Sequence, residues 1–156
     1  MAGNYVLNMY EKLLKWPFGR QIFSAYSARR APYFRTIKPL VTDVRPNHCS
    51  VLIRKRRSVE NHIGTVHVIA IANGLEMAMG FMAEASIPKH LRWIPKGMQL
   101  DYTAKAGSDI TCTADVEPEA WVPGDLTVRV EAKDDQGIVV VKGTITLWIS
   151  EKPAKK

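Results

Sequence analysis

Cysteine is scarce in this sequence: Cys49 and Cys112 are the two that occur among 156 residues. They are far apart, and neither has a second ligand at the spacing of a zinc site, so neither a disulfide framework nor a zinc finger is expected. Each lies in a strand-like run with no helix start behind it, which favours a buried cysteine over a nucleophile. We therefore expect a reducing, cytoplasmic environment and no metal site.

Acidic residues are almost missing from the first 57 positions, where Glu11 and Asp43 stand against 12 lysines and arginines. Positions 58–156 carry 13 acids and 10 cations. The basic part suits an anion such as a nucleotide phosphate, a nucleic acid or an acidic lipid surface, or it is a solvated face that keeps the protein soluble. Because aromatic residues are not interleaved with the cations of 54–57, we expect no nucleic-acid partner.

Asp, Glu, Lys and Arg are also missing from the apolar segment 66–83, with the exception of Glu76. The segment nearly reaches the ~20 residues that a membrane span requires. Asn73 and Glu76 would lie near the bilayer centre, however, where polar groups are costly. We therefore expect a core helix of a globular domain and no transmembrane span. Since a buried carboxylate needs a partner, Glu76 is either a functional acid or a core acid bonded to an amide or an arginine.

The first 30 residues predict two helices. Residues 4–16 have an amphipathic pattern, Pro17 and Gly19 break it, and residues 20–30 form a second short helix. A signal peptide is not expected, because charged residues interrupt the first apolar run. The aromatic residues that stand out in these helices are Tyr5, Tyr10, Trp16, Phe18, Phe23 and Tyr26. We expect them to pack onto the domain, with a lid or a weak membrane-surface contact as alternatives.

Two-residue periodicity predicts an antiparallel sheet. Residues 37–57 form two strands around a turn at Pro46-Asn47, and Pro88 ends the apolar helix at about Ala85. Four further strand-like runs lie at 98–107, 110–117, 126–134 and 138–150. The predicted fold class is α+β, with the sheet wrapped around one long central helix. The chain is divided into a helical N-terminal extension at 1–32, this domain at 33–150 and a loose polar tail at 151–156.

Three polar residues around the start of the apolar helix have a characteristic spacing. Asn61 lies six positions before His67, and Glu76 lies nine positions after it. This pattern resembles the hotdog-fold acyl-CoA thioesterases, in particular the phenylacetate-pathway type. Those proteins carry an upstream Asn or Gln, a His-Gly-Gly at the start of the central helix, and a catalytic Asp or Glu nine positions after the His.

The resemblance covers about residues 35–150. The segments 98–116 and 134–149 are also similar to strands of that family. The closest likeness is to a little-characterised bacterial branch, and Val68-Ile69 stands where the family has Gly-Gly. The resemblance implies a hotdog fold and hydrolysis of an acyl-CoA thioester.

The chemistry assigns a role to each polar residue. Hydrolysis of a thioester needs a base or a carboxylate nucleophile, which Glu76 supplies, and donors for the oxyanion. The free backbone N–H of Val68 and the side-chain amide of Asn61 supply the donors. His67 is placed at the start of the helix, as a capping or catalytic residue. The candidate substrate contacts, including those to the phosphates of coenzyme A, are Gly64, Thr65, Asn73, Arg54, Arg56, Arg92 and Lys96, followed by Lys105. No cofactor is expected beyond the coenzyme A of the substrate.

The spacing of the site also predicts an assembly. Val68 and Glu76 are ~12 Å apart along a helix, so one thioester carbonyl cannot reach both on the same chain. We expect at least a homodimer, with a dimer of dimers as an extension, in which the helix start of one chain meets Glu76 of the other. A dimer would also cover an exposed edge of the sheet.

Three interpretations remain open on the sequence. The first is an acyl-CoA thioesterase. The second is a non-catalytic acyl-binding or regulatory protein of the same fold, which the loss of Gly-Gly favours and the presence of Asn61 and Glu76 opposes. The third is a basic nucleic-acid-binding module, which only charge supports. A metal triad of His62, His67 and Glu76 matches no strong zinc pattern.

Overall fold

The computed structural model describes residues 4–154. The helices are α1 (Tyr5–Leu14), α2 (Gly19–Arg30) and α3 (Val68–Ser86). The strands are β1 (Leu40–Arg45), β2 (His48–Ile53), β3 (Leu91–Tyr102), β4 (Ile110–Asp115), β5 (Gly124–Lys133) and β6 (Val139–Glu151). A 3-10 helix, Pro32–Ile37, joins α2 to β1.

The six strands form one antiparallel sheet in the order β1-β2-β4-β5-β6-β3. This confirms the predicted α+β class, with β1 and β3 as the two edge strands. The predicted turn between the first two strands is also confirmed. Asn47 adopts a left-handed conformation there, with φ of 66°, and asparagine tolerates this region better than most residues. Its side-chain oxygen accepts a hydrogen bond from the Trp121 indole N–H at 2.8 Å.

Helix α3 packs on one face of the sheet and supplies much of the core. Leu75, Ala78, Met79 and Met82 are buried. A Cβ atom at Gly74 would lie 2.6 Å from a side-chain carbon of the facing strand β2, so glycine allows the helix to lie this close to the sheet. The segment behaves as the predicted core helix.

Both cysteines are buried and free, as the sequence predicted. Burial in apolar surroundings raises the pKa of the Cys49 and Cys112 thiols. The thiolate is the reactive form of cysteine. Neither residue is therefore a suitable nucleophile.

The predicted start of β3, at residue 98, was wrong. The strand begins at Leu91 and passes through Pro95 and Gly97, two residue types that interrupt most strands. The register against β6 shifts between these two residues, as in a β-bulge. A proline that cannot donate to a neighbouring strand is tolerated at a sheet edge, and β3 is such an edge.

The N-terminal helices pack on α3 and β1 through a small aromatic cluster. The rings of Tyr10 and Phe23 are 5.0 Å apart, and the rings of Phe23 and Phe81 are 5.2 Å apart. The predicted break between the two helices is confirmed, since α1 ends at Leu14 and α2 begins at Gly19. Tyr10 and Phe23 are buried, whereas the other four aromatic residues of the predicted set are exposed.

The two ends of the chain lie partly outside the described residues, namely positions 1–3 of the predicted extension and positions 155–156 of the predicted tail. Within the tail, Glu151 is the last residue of β6. The Lys152 N–H donates to the His90 carbonyl at 2.8 Å, and its ammonium donates to the Lys89 carbonyl at 2.8 Å. The proposed boundary between residues 32 and 33 remains a prediction.

Within residues 4–154, α3 is the one helix that is long and apolar enough to cross a membrane by length and composition. More than half of its apolar stretch is buried inside the domain. A core helix of a soluble domain meets the same two criteria. The helix therefore does not indicate a transmembrane protein.

Candidate active site

The loop before α3 is organised by Asn61. Its side-chain oxygen accepts hydrogen bonds from the N–H groups of Ile63 and Thr65, both at 3.1 Å. Its amide nitrogen donates to the Thr65 hydroxyl at 2.8 Å, and Gly64 turns the chain with a φ of 76°. An asparagine that bonds to the backbone two residues ahead stabilises a turn in this way. One of the two amide hydrogens remains available to a ligand.

His67 is the N-cap of α3. Its Nδ1 accepts a hydrogen bond from the Ile69 N–H at 3.1 Å, which confirms the predicted capping role. The acceptor role requires an unprotonated Nδ1, so Nε2 carries the hydrogen in the neutral ring. The Val68 N–H, at the first position of the helix, has no acceptor within residues 4–154. It is one of the free donors at the positive end of the helix dipole.

A pocket of about 490 Å³ opens at this helix start. Asn61, Thr65, His67 and Val68 line one side of it. The other side comes from the end of β3 and the turn after it, which contribute residues 102–106. The loop is fixed to this turn by a hydrogen bond from the Val66 N–H to the Ala106 carbonyl at 2.8 Å. The pocket therefore brings Val68, which carries the free N–H, beside the end of β3.

Glu76 lies two turns further along α3 and does not line this pocket. It is exposed, and it forms no ion pair and no hydrogen bond within the described part of the chain. The apolar segment around Glu76 predicts an acid in desolvated surroundings. The single chain does not bury it, because the sheet covers the opposite side of α3.

Glu76 lies within a stripe of exposed and half-buried residues along α3. Ile69, Ala72 and Gly80 are exposed or half-buried at helical spacing on the same side. At the far end of the stripe, Glu84 accepts a hydrogen bond from the Trp93 indole of β3 at 2.9 Å. The stripe therefore runs from the pocket towards the edge strand β3. The small side chains on either side of Glu76 leave room for another molecule to approach the carboxylate.

Strand β3 exposes side chains on its inner face, which continues the buried face of the neighbouring strand β6. Met98 pairs with Ile145 and Tyr102 pairs with Val141. Residues that are directly opposite in a sheet share a face. Ile145 and Val141 are buried, but Met98 is 39% exposed and Tyr102 is 66% exposed. The inner face of β3 therefore lacks a covering element in the single chain.

The predicted contacts in the basic segment have other partners. The Arg56 guanidinium donates to the carbonyls of Ile37, Thr36 and Arg54 at 3.0, 3.0 and 3.3 Å, which ties the 3-10 helix to the end of β2. Arg54 is exposed and lies 3.7 Å from Asp109. Neither side chain lines the pocket at the helix start.

Arg92 and Lys96 also lie away from the pocket. The Arg92 Nε donates to the Ser150 hydroxyl at 3.1 Å. Lys96 contacts Asp125 at 2.7 Å and lies 5.3 Å above the ring of Trp148. These partners place both cations on the outer face of the sheet. Lys105, in contrast, lines the pocket.

Asn73 is buried on a different side of α3. Its amide donates to the Thr36 hydroxyl at 3.2 Å and to the Tyr33 carbonyl at 3.4 Å. It therefore holds the 3-10 helix against α3 and does not line the pocket. No group of three or more His, Cys, Asp or Glu residues within positions 4–154 is arranged to hold a metal ion.

Sequence reasoning missed most of the second wall of the pocket. Tyr102, Thr103 and Ala106 line the pocket, but they lie inside the run predicted as a strand at 98–107 and carry no motif. Their approach to the helix start depends on the pairing of β3 with β6, which brings the end of β3 beside the loop at 61–67. No local pattern reports such a pairing. Lys105 was considered only because of its charge.

The fold is shared with solved structures. The protein of the crystal structure named "genomics APC5556" is 40% identical, with a TM-score of 0.83 over 95% of this chain and 99% of that one. A Pseudomonas aeruginosa protein of unknown function, called a probable thioesterase, is 17% identical, with a TM-score of 0.76 over 88% and 97% of the two chains. A thioesterase family protein from Silicibacter pomeroyi is 16% identical, with a TM-score of 0.69 over 87% and 100%. The last two likenesses establish the hotdog fold.

No curated protein matches the chain. Residues 19–149, which form most of it, match one protein family. That match includes α2, α3 and the sheet except the last two residues of β6, and with them the pocket and Glu76. The chain therefore belongs to the family described as "Domain of unknown function (DUF4442)".

Proposed function

We propose that the protein is a cytoplasmic acyl-CoA thioesterase that acts as at least a homodimer. The observation that carries the proposal is the pairing of a free helix-start donor in a pocket with an exposed carboxylate on the same helix. The thioesterase names of two structural neighbours support the same reaction class. The phenylacetate-pathway resemblance makes arylacetyl thioesters the first substrates to test.

The oxyanion site would form at the start of α3. In this proposal the Val68 N–H and the second amide hydrogen of Asn61 donate to a thioester oxygen, since both residues line the pocket. The helix dipole adds positive potential at this end. Donors that are fixed before the reaction stabilise the charge that develops on the carbonyl oxygen. The hydrogen bonds of Asn61 and His67 hold the loop in place.

Glu76 would act from the partner chain. Val68 and Glu76 are ~12 Å apart along one helix, which is too far for one carbonyl. If two copies pair through their β3 edges, the two α3 helices can run antiparallel, and the helix start of one copy lies beside Glu76 of the other. The uncovered face of β3 and the small residues around Glu76 support this arrangement.

In the proposed reaction, Glu76 accepts a proton from water and later returns it to the leaving group. The Glu76 carboxylate takes a proton from water, and the hydroxide attacks the thioester carbonyl carbon. The oxyanion is held by the Val68 N–H until the carbon–sulfur bond breaks. The thiolate of coenzyme A leaves and takes the proton from Glu76, and the acid product is released. Direct attack by the carboxylate is an alternative that passes through an anhydride.

Lys105 is our candidate for the coenzyme A phosphates, because it lines the pocket and is exposed. Arg54 is the next candidate, since its partner Asp109 holds it loosely. Arg56 is engaged with three carbonyl groups and would have to release them. Charge removal at Lys105 should raise KM more than it lowers kcat.

The test is release of coenzyme A from a panel of thioesters that includes phenylacetyl, short-chain and long-chain acyl groups. Both cysteines are buried, so the protein contributes little background to a free-thiol readout. Glu76→Gln should lower kcat by about 10²–10⁴-fold, because the shape is kept while the basicity is lost. Glu84→Gln is the matched control on the same helix and should stay within about threefold. Equal loss in both variants, or no loss in either, would contradict the proposal.

A non-catalytic acyl-binding protein is the second candidate. Val68-Ile69 supports it, because Ile69 is exposed beside the pocket in place of the glycine that the related enzymes carry. In that case calorimetry would detect the binding of acyl-CoA, and no free thiol would be released. Glu76→Gln would then leave the affinity unchanged.

A further inference from the structure

The N-terminal helices expose large apolar side chains outward. We call this set the N-terminal apolar surface, and its members are Tyr5, Leu14, Trp16, Phe18, Ile22 and Tyr26. Trp16 is 70% exposed and Phe18 is 74% exposed. The core of the same helices is already made by Tyr10 and Phe23, so packing within the chain does not account for these residues. A contiguous exposed apolar patch of this kind marks a contact with another molecule.

The members of the N-terminal apolar surface lie next to one another. Tyr5, Ile22 and Tyr26 line a groove of about 510 Å³ between α1 and α2. Leu14 and Phe18 line the adjoining depression at the turn between the helices. The surface therefore runs along α1 and α2 and ends at the turn that carries Trp16 and Phe18.

The turn is held in a tight and costly conformation. A Cβ at Gly19 would lie within 1.8 Å of the Leu13 carbonyl oxygen, so glycine is required for the close approach of the two helices. Phe18 has a φ of 60°, a region that a bulky residue adopts at an energetic cost. Its ring is not buried in return. The structure thus presents Trp16 and Phe18 as a fixed apolar tip.

Cations surround this surface. Lys12, Lys15, Arg20, Arg29 and Arg30 are all exposed. None of them forms an ion pair within the described part of the chain. Glu11 is the one acid between positions 4 and 38 of the sequence. Basic residues around an aromatic and aliphatic patch are the pattern of a peripheral membrane contact.

We propose that the N-terminal apolar surface docks the protein on an anionic phospholipid bilayer. Trp16 and Phe18 enter the interfacial zone, where aromatic side chains are favoured, and the cations face the headgroups. A second copy of the chain is a poorer occupant, because a symmetric contact would bring both sets of unpaired cations together. The proposal does not rest on the thioesterase reaction, since none of these residues belongs to the pocket or to the stripe around Glu76.

The test is sedimentation of the full chain with vesicles of phosphatidylcholine alone or with 30% phosphatidylglycerol. The wild type should bind the anionic vesicles and lose most of that binding in 0.5 M salt, because screening weakens surface charge. Lys12→Glu with Lys15→Glu should reduce the partition coefficient by at least tenfold, since each cation near such a surface contributes about fivefold. Lys89→Glu is the matched control and should change it less.

The apolar tip is tested separately. Trp16→Ser with Phe18→Asn should lower binding by tenfold or more, and asparagine tolerates the left-handed conformation at position 18. Ile138→Ser, at an exposed turn elsewhere, is the control. Equal binding of the tip variant and the wild type would overturn the proposal, and so would a wild type that ignores anionic vesicles. A tip variant that changes the sedimentation of the free protein would assign the surface to a contact between copies.

Discussion

The two edge strands of the sheet are completed in different ways. At β1, the N-terminal helices supply partners: the Val41 N–H donates to the Ser24 hydroxyl at 2.8 Å, and the Thr42 carbonyl accepts from the Tyr10 hydroxyl at 2.9 Å. At β3, no described residue has this role, and Met98 and Tyr102 are exposed. A free edge is a template for pairing with another strand. The chain therefore closes one edge by itself, and in the dimer that we propose the other edge receives the partner.

The largest expected effect comes from testing whether the β3 edge completes the site. Glu76→Ala and Asn61→Ala chains should each be nearly inactive alone. After mixing and reassembly, about half of the dimers are heterodimers with one intact site, so roughly a quarter of the native activity should return. Activity of coenzyme A release is measured on the mixture, with unmixed chains treated in the same way. Verified heterodimers without recovery would contradict a shared site.

Charge on the inner face of β3 should break the assembly. Met98→Lys places a cation where a partner chain would bury it, which costs about 3 kcal/mol or more and weakens the dimer by at least 100-fold. In the single chain the same side chain reaches solvent, so the fold should persist. Sedimentation at micromolar concentration gives the readout, and Ile138→Lys on an exposed turn is the control. A dimer that survives Met98→Lys would place the interface elsewhere.

The β1 edge should respond through stability instead. Ser24→Ala removes the acceptor of the buried Val41 N–H, and an unsatisfied buried donor costs about 1–3 kcal/mol. We expect the free energy of unfolding to fall by that amount in urea titrations, while the oligomeric state is unchanged. Ser58→Ala, at an exposed position, should have little effect. A variant that alters assembly but not stability would show that the two edges are not distinct.

Local signals were sufficient for most of the fold. The central helix was expected to end at about Ala85, and it ends at Ser86, because an uninterrupted apolar run and Pro88 act within the segment. The turn at Pro46-Asn47 was also predicted correctly, because proline and asparagine favour a turn within a short segment. The start of β3 was missed because Pro95 and Gly97 break most strands, and their tolerance depends on the edge position of the strand in the sheet.

The candidate site was predictable in its parts but not in its arrangement. The spacing of Asn61 and His67 indicated the helix start, and the structure places both at the pocket. The spacing did not indicate that Arg56 would bind three carbonyl groups or that Asn73 would face the 3-10 helix. Those contacts join segments that are distant in sequence, and residue type does not specify them.

The sequence by itself determined the helix α3, the break between α1 and α2, the burial of both cysteines and the presence of a single acid in an apolar segment. These follow from periodicity, glycine, proline and the cost of burying charge. Only the tertiary structure decided which side of α3 the sheet covers, and with it that Glu76 faces outward. It also separated the buried Tyr10 and Phe23 from the exposed Trp16 and Phe18. The physical reason is that burial depends on which distant segments meet. The type of an aromatic residue does not tell whether such a contact will cover it.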